Sequence, residues 1–313
     1  MSAFSWTAKT HKSVTDAQLR TYCAVPEKPK AIVQINHGMA EHAGRYERFA
    51  KALFQAGFGT YAHDHRGHGK TTAPDSSPGM FAKEDGWAKI LSDVADVNTR
   101  IQTAYPNTPI VCFGHSMGSI IAFNFALLNH EKVQGLALWN AGVDTGLLSI
   151  VSGAILKTER FFKGSDVPSS LAKKLTFDAW NKTFAPNRTD FDWLSTDEVE
   201  VDKYINDPLC GFEVTIGLWL DVLKGINFAG NNANLYNLNQ NFSVSLLAGD
   251  QDPCTEGGKA VSNIASRMQE IGMRNVTFEL LKDARHESLN DLKRDETTAN
   301  FIAWLNEQFG DQS

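Results

Sequence analysis

Apolar positions along the chain fall into two alternating rhythms. Short unbroken runs at residues 31–36, 58–63, 109–113 and 133–139 predict buried strands. Between them, Tyr46, Phe49, Ala50, Leu53 and Phe54 recur at helical spacing and stop at Gly57, while Trp87, Ile90, Leu91, Val94, Val97 and Ile101 mark an amphipathic helix. Residues 119–128 predict a further helix directly after the third run. Beyond residue 240 the rhythm resumes with a strand at 242–247, a helix carrying Val261, Ile264, Ala265, Met268 and Ile271, and a strand at 276–281. A last helix holds Phe301, Trp304 and Leu305. Such alternation predicts a mainly parallel sheet covered by helices on both faces. Residues 4–8 and 18–25 read as an antiparallel edge hairpin.

Residues 143–238 break this rhythm. Leu148, Val151, Ile155 and Phe162 share one helical face, and Trp180, Phe184, Trp193, Tyr204, Phe212 and Trp219 follow among polar, Asn-rich connections. An insertion of this size between two sheet strands is most simply a helical cap over the carboxyl edge of the sheet, where open α/β sheets bind ligands. The division expected is core 1–142, cap 143–238 and core 239–313. Most of the cap aromatics are expected to form its own core, with a minority lining a pocket. Its first helix, around 147–162, offers an apolar face for gating lipid entry, for transient contact with a membrane surface, or for docking onto the sheet.

Composition narrows the field. The net charge is -6, and no Lys/Arg cluster is built to hold a phosphate backbone, which argues against nucleic acid as a partner. The N-terminal residues lack an apolar signal segment and no run is long enough to span a bilayer, so a cytoplasmic protein is the expectation. Cys23, Cys112, Cys210 and Cys254 are widely spaced, which speaks against a disulfide framework or a zinc site. His63 and His65 flank Asp64 without a third ligand in a fixed frame, and neither a metal nor another cofactor is expected.

The candidate chemistry sits in Pro109-Ile-Val-Cys-Phe-Gly-His-Ser-Met-Gly118, an apolar strand running into Gly-x-Ser-x-Gly and then into a helix. The pentapeptide alone is weak; its strand–turn–helix setting makes it a nucleophile elbow, which projects the Ser116 hydroxyl from the end of the sheet. A serine needs a base to take its proton and a carboxylate to orient that base. In elbow hydrolases the chain order is serine, acid, histidine. His286 alone lies downstream of every suitable acid, in a loop just past the strand 276–281. After the strand at 242–247, Asp250 and Asp252 both qualify by position. Gly249 for the turn and Pro253 for stiffness favour Asp252. Two backbone N–H donors are needed for the oxyanion, one from Met117 and one from Met39 in the loop after the strand 31–36. His37, His42, Arg45, Arg66 and His68 read as hydrogen-bonding props around these loops.

The segments His37-Gly-Met-Ala-Glu-His-Ala-Gly-Arg-Tyr46, Asp64-His-Arg-Gly-His-Gly69, Gly114-His-Ser-Met-Gly118, Gly249-Asp-Gln-Asp252 and Arg285-His-Glu287 together resemble the α/β-hydrolases of the monoglyceride lipase and lysophospholipase group, sometimes filed with serine aminopeptidase-like hydrolases. Asp207-Pro-Leu-Cys-Gly-Phe212 looks like the bacterial members. The resemblance, which runs from about residue 30 to 290, implies an eight-stranded sheet with a helical cap. It also implies a triad of Ser116, Asp252 and His286, an oxyanion hole at Met39 and Met117, and no cofactor. It supports Asp252 over Asp250 through the Gly-x-x-Asp pattern.

The leading function is then hydrolysis of single-chain acyl esters, monoacylglycerols or lysophospholipids, through an acyl-Ser116 intermediate. An aminopeptidase or amidase with the same triad would need acids to hold a substrate ammonium, for which Asp192, Asp197, Glu198 and Glu200 are candidates. A thioesterase fits the same triad. A catalytically silent binding module is disfavoured by the complete set of side chains, and the serine at the elbow excludes epoxide hydrolases and dehalogenases.

Overall fold

The computed structural model describes residues 3–143 and 147–310, with the side chains of 147–152 outside the description. Among the described residues, eight strands form one sheet: β1 (Thr7–Lys12), β2 (Gln18–Ala24), β3 (Ile32–Asn36), β4 (Gly59–His63), β5 (Ile110–His115), β6 (Gly135–Trp139), β7 (Ser243–Gly249) and β8 (Val276–Leu281). Their order is β1-β2-β4-β3-β5-β6-β7-β8. From β4 to β8 the neighbours run parallel, and β2 pairs antiparallel with both β1 and β4. This is the α/β-hydrolase architecture.

Every residue of β3, β5, β6 and β7 is buried, as expected where helices cover both faces of a parallel sheet. Successive side chains point to opposite sides, so β5 divides cleanly. Val111 and Phe113 pack with Phe49 and Leu53 of α1 (Glu47–Gln55) and Phe301, Trp304 and Leu305 of α11 (Arg294–Phe309). Ile110 and Cys112 pack on the other side with α2 (Gly86–Ala104), α3 (Met117–Leu128) and α10 (Lys259–Glu270).

The opening antiparallel hairpin stands at the sheet edge as expected, with its second strand at Gln18–Ala24, but its first strand is shifted. That strand is Thr7–Lys12 rather than 4–8, paired with β2 around a turn in which Ser13 N–H donates to Ala17 O at 2.8 Å. At an edge the strand has one partner and little buried surface, so no apolar run marks it. Phe4 instead meets the ring of Phe54 at 5.7 Å.

Between β6 and β7 the described residues form α4 (Leu147–Lys163), α5 (Ser170–Leu175), α6 (Phe177–Lys182), α7 (Glu198–Asn206), α8 (Ile216–Gly230) and α9 (Asn232–Leu235). Leu148 and Val151, expected on the apolar face of the first of these, lie outside the described side chains. The insertion is tied to the core by α8, whose Gly225 O accepts from Asn124 Nδ2 of α3 at 3.0 Å. Tyr204 Oη and Gly211 N–H add bonds to Ala40 O, both at 2.9 Å. No helix among the described residues is long and apolar enough to cross a membrane.

Candidate active site

The strand-to-helix junction after β5 is as sharp as the sequence predicts. Ser116 has φ 54° and ψ -123°, a conformation that costs a non-glycine residue about 1–3 kcal/mol. The flanking glycines are there for space. A Cβ on Gly114 would stand 2.2 Å from Gly118 O, and one on Gly118 would stand 2.0 Å from Asn36 O. Ser116 is also the cap residue of α3, whose first N–H groups carry the positive end of the helix dipole.

His286, in the loop after β8, reaches this serine. Its Nε2 lies 2.9 Å from Ser116 Oγ, and its Nδ1 lies 3.0 Å from each carboxylate oxygen of Asp252. Asp252 is fully buried and His286 is 2% exposed. The Asp252 oxygens also accept from Cys254 N–H at 2.9 Å and Asn140 Nδ2 at 3.2 Å, so the ionised form is held by three donors. Asp250 takes no part: its Oδ1 is buried without a partner. Asn140 is missing from the sequence-predicted set. It follows β6 directly, has φ 56°, and accepts from Ser288 Oγ at 2.7 Å. A polar residue ending an apolar strand at the ligand-binding edge was the available signal.

The loop carrying Met39 lies beside the elbow because Asn36 of β3 pairs with Gly114 of β5. Its shape is fixed by Glu41, whose Oε1 accepts from Gly38 N–H at 2.6 Å and from Tyr46 Oη at 2.9 Å, and whose Oε2 accepts from Arg45 at 2.7 Å. Burial would raise the Glu41 pKa, but Arg45 and His115 overcome it and hold the carboxyl well below its ordinary value. His115 points its two ring nitrogens at Glu41 Oε1 (3.4 Å) and His286 O (3.0 Å). Desolvation alone would depress this imidazole, yet Glu41 and Glu287 leave it raised. The props named from sequence hold up this region. His37 accepts from His65 N–H at 2.9 Å, and Arg66 is buried against Asp93 at 2.9 Å. His42 accepts from Gly44 N–H through Nδ1 at 3.1 Å, so its Nε2 donates to Asp207 at 2.9 Å. That engagement leaves His42 no free lone pair for an ion beside Asp207 and Cys210, although the three cluster within 4.8 Å.

Two cavities meet at Ser116. The larger, about 470 Å³, is walled by apolar side chains that include Ile120, Leu156, Leu171, Val222 and Ile226. The smaller, about 100 Å³, is bordered by Ala40, His115, Tyr204 and Phe212. Met39, Phe177 and Trp219 line both and divide them. Of the six aromatics expected mainly as core, Trp193, Tyr204, Phe212 and Trp219 line the smaller cavity and Trp180 and Trp219 the larger, leaving Phe184 outside both. Trp180, Phe184, Trp193 and Tyr204 do pack into the cap's own core as expected, but a majority rather than a minority also border a cavity, because a thin helical layer cannot hide a ring on all sides. Rings such as Trp193 stack inward on Phe177 at 5.6 Å and still face the void. The acids proposed from sequence are also displaced. Asp192 holds the backbone at Arg188, Asp197 caps α7 and pairs with Arg294, Glu200 pairs with Arg48, and Glu198 stands near Arg188. The acids bordering the smaller cavity are Glu41 and Glu287, both paired with Arg45, and Asp178, Asp190 and Glu213, of which Asp178 pairs with Lys173 at 2.7 Å.

Comparison with known proteins agrees with this geometry. Residues 27–293 match the family model described as Serine aminopeptidase, S33. Over 200 residues the chain is 30% identical to a monoglyceride lipase homolog of Monkeypox virus, covering 64% of each chain. Over 195 residues it is 32% identical to the monoglyceride lipase of Mus musculus, covering 61% of this chain and 57% of that one. The match thus spans roughly three-fifths of these relatives' length. Among solved structures, a thermostable carboxyl esterase from Bacillus coagulans in complex with glycerol superposes with a TM-score of 0.88 at 26% identity, covering 99% of this chain and 100% of that one.

Proposed function

Starting from a chain that belongs to the serine aminopeptidase S33 family of α/β-hydrolases, we propose that it is a serine carboxylic-ester hydrolase acting on single-chain acyl lipids, monoacylglycerols or lysophospholipids. The observation that carries the reading is the unbroken line from Ser116 Oγ through His286 to Asp252 at the floor of a 470 Å³ apolar cavity. That volume lies in the range of small-molecule sites.

His286 Nε2 takes the Ser116 proton as Oγ attacks the ester carbonyl. Asp252, donor-bonded on both oxygens, steadies the imidazolium. The tetrahedral oxygen draws on the backbone N–H groups of Met39 and Met117, the latter at the start of α3, and removing one such donor typically costs about 3–4 kcal/mol. His286 then protonates the leaving alcohol, which departs through the smaller cavity, and a water repeats the cycle to release the fatty acid. The acyl chain occupies the larger cavity. Residues 143–238 act as the cap that shapes both cavities. On α4, Phe161 and Phe162 are exposed beside Lys157, Arg160 and Lys163, a composition fit for transient contact with a lipid surface.

A second reading, amide or aminopeptide hydrolysis, is favoured by the acids at Asp178, Asp190 and Glu213, which would attract an ammonium. Turnover of a monoacylglycerol, a lysophospholipid and an aminoacyl amide under one set of conditions separates the readings. A fluorophosphonate probe is expected to label Ser116 and to leave Ser116→Ala unlabelled. No labelling of the wild type would remove every serine-based reading.

A further inference from the structure

His286 is flanked on both sides by residues that bond to the cap, although Glu287 also pairs with Arg45 of the core through its carboxylate. Before it, Arg285 Nη1 donates to the carbonyls of Asp192 (2.5 Å) and Ser195 (3.0 Å), and its guanidinium lies 4.0 Å over the ring of Phe184. After it, Glu287 N–H donates to Leu194 O at 2.7 Å. The residue enclosed by these bonds, Trp193, places its ring 4.8 Å from the imidazole. Farther along, Ser195 Oγ donates to Asn290 O at 2.8 Å, and Thr196 bonds to Asp291.

Arg285 is the unusual member. It borders neither cavity, and among the described residues no carboxylate lies within ion-pair distance of it. A half-buried cation whose nearest carboxylates, Asp192 and Asp291, act on it only from beyond ion-pair distance is costly. Here its charge is met by two carbonyl dipoles and an aromatic face, all from one cap segment, and desolvation lowers its pKa. A plain staple between loop and cap needs no such arrangement, since Arg294 paired with Asp197 at 2.6 Å already supplies one along the same seam.

Resting on the assignment of His286 as the base, we propose that Arg285 is a positioning residue for the reaction. It bridges the carbonyls of Asp192 and Ser195 so that the cap turn at Trp193 fixes the imidazole against Ser116. The cap is therefore a structural part of the base's support and not only a cover. Both bonds leave one nitrogen, Nη1, which is held in place by the flat guanidinium stacked on Phe184, a contact that the compact ammonium of lysine cannot reproduce. A displacement of about 1 Å in a reacting group can cost about 100-fold.

The test compares Arg285→Met, Arg294→Met and wild type in three measurements: melting temperature, the rate of fluorophosphonate labelling of Ser116, and kcat and KM for a short soluble ester. Arg285→Met is expected to slow labelling and lower kcat by about 10–100-fold with KM changed less than threefold, while Arg294→Met stays within threefold of wild type in both. If the two variants slow labelling equally, or if Arg285→Met labels as fast as wild type, the proposal fails. Wild type that does not label would instead overturn the assignment of the base. Should Arg285→Met not fold, Arg285→Lys carries the same test, with a slowing of about tenfold expected and none counting against the bridge.

Discussion

The carboxyl edge of the sheet and the helical insertion above it meet around one serine, yet they hold their residues by different means. In the sheet, position follows from backbone. Ser116 stands where it does because β5 is buried at every residue and pinned between β3 and β6. In the insertion, position follows from side chains: rings of Phe177, Trp180, Trp193 and Trp219 lean on one another at 5.1–5.6 Å. Backbone ladders tolerate little adjustment, whereas ring contacts can re-form around a different ligand. On the function proposed above, the contrast assigns the placing of the nucleophile to the sheet and the choice of substrate to the insertion, with Arg285 the point at which the insertion reaches the base.

The sharpest way to break that contrast is at the elbow. Ser116→Ala is expected to lower kcat/KM by at least about 10⁴-fold for every ester tested, with the fold intact by circular dichroism. A loss confined to some esters would contradict the division. Asp252→Asn should follow at about 10³–10⁴-fold, again without regard to substrate, because it presents the imidazole in the wrong tautomer. Next in size is acid sensitivity of the core. His63 and His68 are buried and their pKa values are pushed down by desolvation to about 3 and about 4. The unfolded chain therefore binds protons first as pH falls below about 6.5. Stability is full above that pH and declines beneath it, by about 2 kcal/mol per histidine at pH 5. Denaturant titrations at pH 7.5 and 5 measure this, and equal midpoints would refute it.

The insertion answers to gentler changes. Phe177→Ala removes a wall common to both cavities and should alter the ratio of kcat/KM between long and short acyl esters by about tenfold, leaving the best substrate's kcat within a few-fold. A uniform loss across the panel would assign Phe177 to the chemistry instead. Smallest is Phe161→Ser with Phe162→Ser, expected to weaken liposome co-sedimentation severalfold while a soluble ester is turned over as before.

The same division explains what could be read from the chain. Inner strands of the sheet were legible because burial on both faces demands apolar runs, and the observed bounds of β3 and β4 fall within one residue of the expected ones. His286 was legible by elimination, since chain order left no rival. β1 was not, because an edge strand with one partner needs no apolar run. Asn140 and Glu41 escaped for a different reason: they act through other residues, and nothing in a lone polar side chain announces which loop it will hold. In the insertion, acids close in sequence proved to be helix caps and ion-pair partners. Those that the insertion does bring to the smaller cavity, Asp178, Asp190 and Glu213, come from three separate stretches that only tertiary contact brings together.

The left-handed backbone at Ser116 has a consequence for how this protein can evolve. Glycine would sit there without strain, so the most comfortable occupant of the position is one that abolishes turnover. Selection for heat resistance alone would drift toward an inert scaffold, and keeping the hydroxyl obliges the surrounding strands to absorb a permanent penalty. The tight burial of β3, β5 and β6 is, in that light, the margin that lets an uncomfortable residue persist.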